Sequence, residues 1–504
     1  MSISSKPLIL LPYLFLRVFA LKRSPPRCNL ILLESLHKSS EENMPLASNR
    51  RISEALQARE AERSESLDAP GLLLVFALGI LAIVILISKF KVHPFLTIFV
   101  VTIAVGLAYG FAPRDLIQLI IKGFSNILGY VAIIVLSATI IGEILDRTGA
   151  TRRVAEAVLM TVGSSRTALA MGVSGYLVAL PVMCCDTAFI VLSPIARALA
   201  GAGKVSKAAV STALAVGAYT SFKLVYPAGP LFTSAILGAE IGKVMELGVL
   251  ASIPVFALGL LWAHKAERAS SEPVSTSTIV GSADSRLPST LASFACIVLP
   301  ISLILLRSMV GTTLSIPVHI RQTLDLVGHP IIALPIGVGL SLTLASGRKM
   351  SEINVWISDG IKRAASILAI VGAGGALGTV LQASRIGDVL GDAVASLGVP
   401  GLAVVFLVSA VIKTGIGSSM VTWITAPSII LPILPALGVS PVMASLAICA
   451  GSMVCINVND SFFWVVTGFA DMDIRSGFKN LTLLSTLMGT TALVTIVLLG
   501  SLFT

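Results

Sequence analysis

From Gly71 onward the chain alternates apolar runs of near-spanning length with short polar breaks. The clear runs are Leu72–Ser88, Pro94–Phe111, Ile127–Leu145, Ala209–Lys223, Leu247–Ala263, Leu291–Leu306, His329–Ala345, Ala364–Leu381, Leu402–Val411 with its extension, Met443–Val458 and Leu481–Leu502. Backbone polar groups have no water partner in hydrocarbon, so runs that meet lipid are predicted to be helices. The pattern predicts roughly 11–14 helical segments, several too short to span. Residues 1–70 break the pattern. Met1 to Leu33 holds Lys6, Arg17, Lys22, Arg23 and Arg27 without an acid, and its apolar run, Pro7 to Leu16, is too short to cross a bilayer. This extension reads either as a targeting segment or as a disordered N-terminal extension. One long polar break, 264–287, separates a first apolar half, 71–263, from a second, 288–504. Its Ser, Thr and charged residues suit an exposed linker.

Composition narrows the class. Charged residues make up 12% of the chain and hydrophobic residues 55%, against about 25% charged in soluble domains. So little charge would leave large apolar patches in water, which excludes a soluble enzyme. High hydrophobicity excludes intrinsic disorder. The net charge of +10 comes from cations clustered between apolar runs, with only 6% aromatic residues. That arrangement suits loops on the positive side of a membrane and not a nucleic-acid groove. The expectation is an integral, multi-pass protein, with the plasma membrane preferred over an organellar one. The lipid bilayer is its first partner, and a homodimer is open to it. Six cysteines occur without a CxxC or a Cys/His cluster, and HExxH, GxSxG and Walker patterns are absent. No metal, cofactor or catalytic residue is expected.

The two halves resemble each other. GEILDRTGATRRVAEAVLMTVG from Gly142 matches GTVLQASRIGDVLGDAVASLG from Gly378. Gly142 and Leu145 pair with Gly378 and Leu381, 236 positions on, and at the same offset Pro181 falls on Gly417. Each copy then interrupts an apolar span, at Pro181-Val-Met-Cys-Cys-Asp186-Thr187 and at Gly417-Ser-Ser-Met-Val-Thr422. Duplicated halves with matching interruptions point to a secondary transporter's binding site. A helix broken inside the membrane leaves N–H groups and a partial positive charge facing a cavity, which suits an anion.

Several residues could carry chemistry. Asp186 stands among apolar neighbours, where a carboxylate costs roughly 2.5–3.5 kcal/mol on insertion scales. It is a functional candidate, against the plainer reading of a snorkelling or neutral loop acid. Asn459-Asp460-Ser461 is a polar triplet between apolar stretches, either a functional break or an interfacial cap. Gly417, Ser418, Ser419 and Thr422 offer donors on a flexible backbone, or small residues that pack against neighbours. Lys413, a lone cation at the end of an apolar run, either serves the site or snorkels. Lys223, ahead of the helix-breaking Pro227-Ala-Gly-Pro230, is either functional or an interface marker. Gly372-Ala-Gly-Gly-Ala-Leu-Gly378 superficially resembles a dinucleotide loop, but it lacks the strand context and reads as close helix packing.

In order, LPVMCCDTAFIVLSPIA (Leu180–Ala196), YPAGP and ILGAEIGK (within Tyr226–Lys243), LPSTLASFACIVLP (Leu287–Pro300), VGAGGALGTVLQASRIGDVL (Val371–Leu390), KTGIGSSMVTWIT (Lys413–Thr425) and VNDSFFWVV (Val458–Val466) run along the chain. With these segments the chain resembles the gluconate permease family of proton-coupled organic-acid symporters, from about Gly71 to the C-terminus. The resemblance implies an all-α polytopic fold of the wider ion-transporter superfamily. That fold has two inverted repeats with re-entrant hairpins and elevator-type movement. It also implies uptake of gluconate or a related small hydroxy-acid anion with a proton. Asn457 stands where that family commonly has a histidine, and Lys413 and Ile416 where it commonly has arginine and glutamine. Ammonium in place of guanidinium loses bidentate carboxylate recognition, so the particular acid is left open.

The resulting expectation places the anion between the two breaks. Asp186, Thr187, Lys413, Gly417, Ser418, Ser419, Thr422, Asn459, Asp460 and Ser461 would form its site, with Asp186 or Asp460 carrying the proton. A sodium-coupled di- or tricarboxylate carrier of the same superfamily and an anion channel are the alternatives.

Overall fold

The computed structural model describes residues 68–162, 166–182, 184–201, 206–226, 228–268, 287–312, 317–390 and 398–503. Nearly all of the extension and most of the 264–287 linker lie outside them. The described residues are helical, with no strand among them. In chain order the first half holds α1 (Ala69–Ser88), α2 (Pro94–Ala108), α3 (Pro113–Arg147), α4 (Ala150–Val162), α5 (Thr167–Ala179), α6 (Cys185–Gly201), α7 (Lys207–Leu224), α8 (Ala228–Leu237) and α9 (Ile241–Arg268). The second holds α10 (Thr290–Thr312), α11 (Val318–Val327), α12 (Pro330–Leu344), α13 (Met350–Gln382), α14 (Gly401–Ile416), α15 (Ser419–Ile430), α16 (Pro441–Gly451) and α17 (Ser461–Ala470). Ile474–Gly477 and a π-helical stretch, Phe478–Leu483, lead into α18 (Leu484–Phe503).

Among the described residues, seven helical stretches are long and apolar enough to cross a membrane, or eight if α11 and α12, bent by 67°, count as one span. Six more apolar helices, including α5 and α14 to α17, have only 10–17 residues. They are the segments too short to span. The run Met443–Val458 stops being helical at Gly451, and Ile127–Leu145 is the end of a 35-residue helix. The protein is thus a polytopic, all-helical membrane protein.

Burial sorts the helices into lipid-facing and central ones. Leu74, Leu78, Leu81 and Ile85 of α1 are exposed and form an outer apolar face. In α7, by contrast, every residue from Ala209 to Leu224 is buried. Helices α3 and α13 pack against each other more extensively than any other pair among the described helices. The glycine run of α13 is what lets them meet: a Cβ on Gly375 would lie 2.5 Å from the Gly123 carbonyl oxygen. Small residues there permit close backbone approach, as expected of the GAGGALG stretch.

Helix starts recur along the chain. Pro94 and Pro330 both open a helix behind a histidine, His93 or His329. In each case the imidazole Nδ1 accepts the N–H two residues on, at 3.3 Å. Proline at this position loses nothing, since that N–H has no helical partner. The starts of α2, α6, α7 and α8 are followed 233 to 236 positions later by those of α12, α15, α16 and α17. Contacts recur as well: α8 packs on α16 as α17 packs on α7, and α8 on α15 as α17 on α6.

Candidate functional site

Three helices begin at one place. Helix α6 starts at Cys185, inside the interruption Pro181–Thr187. Asp186 is therefore in the first turn of α6 and not at a helix centre. A carboxylate there meets the positive end of the helix dipole. Helix α14 ends on Gly417, whose φ of +81° is left-handed, and α15 begins on the next residue with Ser418 as its cap. Glycine is required at 417 for a second reason: a Cβ would fall 2.3 Å from the Asn459 carbonyl oxygen. Helix α17 starts after Asp460, whose Oδ1 accepts the Phe462 N–H at 3.0 Å.

These starts border a cavity of about 510 Å³. Eight of the ten expected site residues line it: Asp186, Thr187, Gly417, Ser418, Ser419, Asn459, Asp460 and Ser461. Two do not. The Thr422 hydroxyl is buried and donates to the Ser418 carbonyl at 2.8 Å, within its own helix. Lys413 is wholly buried behind the wall, where its Nζ donates to Asp460 Oδ2 at 2.6 Å.

The acids divide by their partners. Asp460 has the ammonium of Lys413 on one oxygen and a backbone N–H on the other. Asp186 accepts from the Ser461 hydroxyl at 2.7 Å and from the Cys185 thiol at 3.6 Å. No cation among the described residues lies within ion-pair distance of it. Asn459 lines the cavity, but its Nδ2 donates to the carbonyls of Thr414 and Gly415, at 2.9 and 3.2 Å. It holds the end of α14 in place.

Sequence reasoning missed part of the opposite wall. Thr139 and Glu143 of α3 and Arg363 of α13 also line the cavity. The Glu143 carboxylate is buried between Arg147 Nε at 2.8 Å and Arg363 Nη2 at 3.0 Å. Glu143 sits inside the apolar run Ile127–Leu145, so the rule that singled out Asp186 could have found it. Arg363 stands beside Lys362 just ahead of the apolar run Ala364–Leu381, and only the packing of α3 against α13 brings it to the cavity.

Lys223 belongs to the site's second layer. It is fully buried in the last turn of α7. Its Nζ donates to the Ser452 carbonyl at 2.7 Å and to the Ser419 hydroxyl. The rings of Tyr219 and Trp423 lie 4.6 and 5.0 Å away.

Comparison with known proteins places the arrangement. The chain is 30% identical to the gluconate permease of Pseudomonas aeruginosa over 448 residues, covering 85% of this chain and 97% of that protein. It is 28% identical to the D-serine transporter DsdX of Escherichia coli over 420 residues, covering 80% and 93%. The crystal structure of the YdaH transporter of Alcanivorax borkumensis is similar in fold, with a TM-score of 0.58 at 15% identity, covering 81% of this chain and 97% of that one. The model of the GntP family permeases matches residues 71–502. An apolar helical chain whose broken helices converge on a cavity, matched by that model over nearly all its described length, belongs to the GntP permease family.

Proposed function

We propose that this permease takes up a small hydroxy-acid anion of the gluconate class together with a proton across the plasma membrane. The observation that carries the reading is the asymmetry of the two cavity acids. Asp460 is already neutralised by Lys413. Asp186 faces the cavity with no cation beside it, so a proton is the species available to cancel its charge. An anion entering beside an ionised Asp186 would be repelled. Protonation removes that repulsion and turns the carboxyl into a donor. Proton and anion therefore enter together and leave together.

The anion rests between the starts of α6 and α15, within reach of the hydroxyls of Ser418 and Ser419 and of the first backbone N–H groups of both helices. Such preorganised donors hold negative charge without burying a full cation in contact with it. The recurrence of helix starts and contacts supports two inverted repeats, 71–263 and 288–504, joined by the linker 264–287. The interruptions at Pro181–Thr187 and Gly417–Thr422 act as hairpin tips. The tips and their cargo then move as one unit past the packed pair α3 and α13, in an elevator-type cycle. The names of the gluconate and D-serine relatives support small carboxylates as cargo.

Asp186→Asn in proteoliposomes tests the proton assignment. Accumulation of labelled gluconate driven by a pH gradient should fall at least about tenfold, whereas exchange of labelled for unlabelled gluconate should persist, because exchange needs no net proton movement. Full pH-driven accumulation in this variant, or accumulation driven by a sodium gradient at constant pH, would overturn the reading.

A further inference from the structure

Lys223 is a lysine buried with no acid in contact. Taking its charge out of water costs several kcal/mol unless something offsets it, and no carboxylate among the described residues lies within ion-pair distance. Its surroundings are two oxygens and two aromatic faces, which stabilise a cation without cancelling its charge. One of those oxygens belongs to Ser419, the first residue of α15 and part of the cavity wall.

The direction of that hydrogen bond matters. A serine hydroxyl has one proton and two lone pairs. A charged lysine can only donate, and it then occupies a lone pair of the Ser419 oxygen. The hydroxyl proton must then point elsewhere, and no acceptor among the described residues takes it. Ser419 is thereby left free to donate toward the cavity, and a charge behind it polarises the O–H. The backbone N–H groups at the start of α15 lie beside it and favour the same ligand charge.

We infer that Lys223 and Ser419 form the anchor for the carboxylate of the transported acid. Lys223 is a positioning residue that acts through the hydroxyl: its charge stays unbalanced in the empty site and is balanced by the anion in the filled one. The carboxylate end of the substrate sits at the second tip, and its hydroxylated remainder extends toward Asp186. The pair therefore selects a carboxylate over an uncharged relative of the same shape. This inference rests on the transport reading above and deepens it.

Gluconate and its uncharged amide, gluconamide, distinguish this role from a merely structural one. Uptake is measured in proteoliposomes and normalised to protein that elutes as a single species. A charge-assisted hydrogen bond contributes about 1.5–3 kcal/mol, so Lys223→Met should raise the gluconate KM by about 10- to 100-fold. Inhibition by gluconamide should change less than about threefold on the same grounds, since an uncharged ligand forms no charge-assisted bond. Lys223→Arg should restore most of the preference. Ser419→Ala should raise the gluconate KM by about tenfold, for the loss of one such bond, and adding Lys223→Met to it should do little more. A fall in Vmax with the gluconate-to-gluconamide preference unchanged would overturn the inference, as would additive effects of the two substitutions. If Lys223→Met does not accumulate, Ser419→Ala decides alone, because it leaves the lysine's carbonyl and ring contacts in place. Absence of carboxylate uptake by the unsubstituted protein overturns the transport reading and this one with it. Normal uptake with unchanged preference overturns only this one.

Discussion

Lys413 and Lys223 are both wholly buried, at the ends of α14 and α7, but only Lys413 has a carboxylate. The difference separates a charge that holds the fold from a charge that is free to serve a ligand. The Lys413–Asp460 pair ties α14 to the start of α17 and satisfies both partners inside the protein. Lys223 meets a carbonyl, a hydroxyl and two rings, so its charge still has work to do.

The largest expected effect follows from breaking the satisfied pair. Lys413→Met strands Asp460, and removing one partner of a buried ion pair costs about 3–5 kcal/mol. Thermal unfolding in detergent, followed by size-exclusion chromatography, should show severe loss. The double variant Lys413→Met with Asp460→Asn should recover most of it, since neither charge is then left alone. Lys223→Met strands no opposite charge and should destabilise clearly less. Equal losses from the two lysine substitutions would mean that Lys223 has a structural counter-charge after all, and the contrast would fail.

Gly417 joins the two lysines. Its N–H donates to the Lys413 carbonyl at 2.8 Å, and two residues on stands the serine that accepts from Lys223. Gly417→Ala must adopt a left-handed backbone, which costs roughly 1–2 kcal/mol, and its Cβ must displace the Asn459 carbonyl. The second tip then cannot keep its shape. Uptake should fall about tenfold, since 1.4 kcal/mol is a factor of ten, with most of the protein still folded. Gly415→Ala is the control, because its Cβ meets only the Val84 side chain, at 3.1 Å. Similar losses in both would show that the tip geometry is not the cause.

Much of this was legible in the sequence because it depends on local rules. Apolar runs gave the helices, and the paired interruptions at Pro181 and Gly417 marked where two of them restart. Low charge in apolar surroundings picked out Asp186, Lys413 and Asp460. What stayed hidden depends on which helix meets which. Nothing in the local sequence tells that Lys413 pairs with Asp460, 47 positions on, while Lys223 reaches Ser419 and Ser452 across the two halves. Thr422 looked like a site residue from its spacing, yet helical geometry turns its hydroxyl back to the Ser418 carbonyl. Arg363 became a cavity residue only through the contact of α3 with α13, whereas Glu143 was open to the rule that found Asp186.

The smallest expected effect tests how Lys223 is held. Ser452 contributes twice: its carbonyl accepts from Lys223, and its Oγ accepts from the Trp423 indole N–H at 2.8 Å. Ser452→Ala keeps the carbonyl, which is backbone, and removes the Oγ with its bond to Trp423 and its own donation to the Cys449 carbonyl at 2.7 Å. The indole N–H then lies buried without a partner, at a cost of about 1–3 kcal/mol. The melting temperature should fall modestly. The gluconate KM should rise less than about threefold, because the ammonium keeps both oxygens and loses at most part of a cation–π contact of about 0.5–2 kcal/mol. A rise as large as that caused by Lys223→Met would shift the weight from the Ser419 hydroxyl to the Trp423 ring. The unpaired lysine would then be a charge placed by aromatic packing, and its link to the substrate would run through the orientation of α15 as a whole and not through one hydrogen bond.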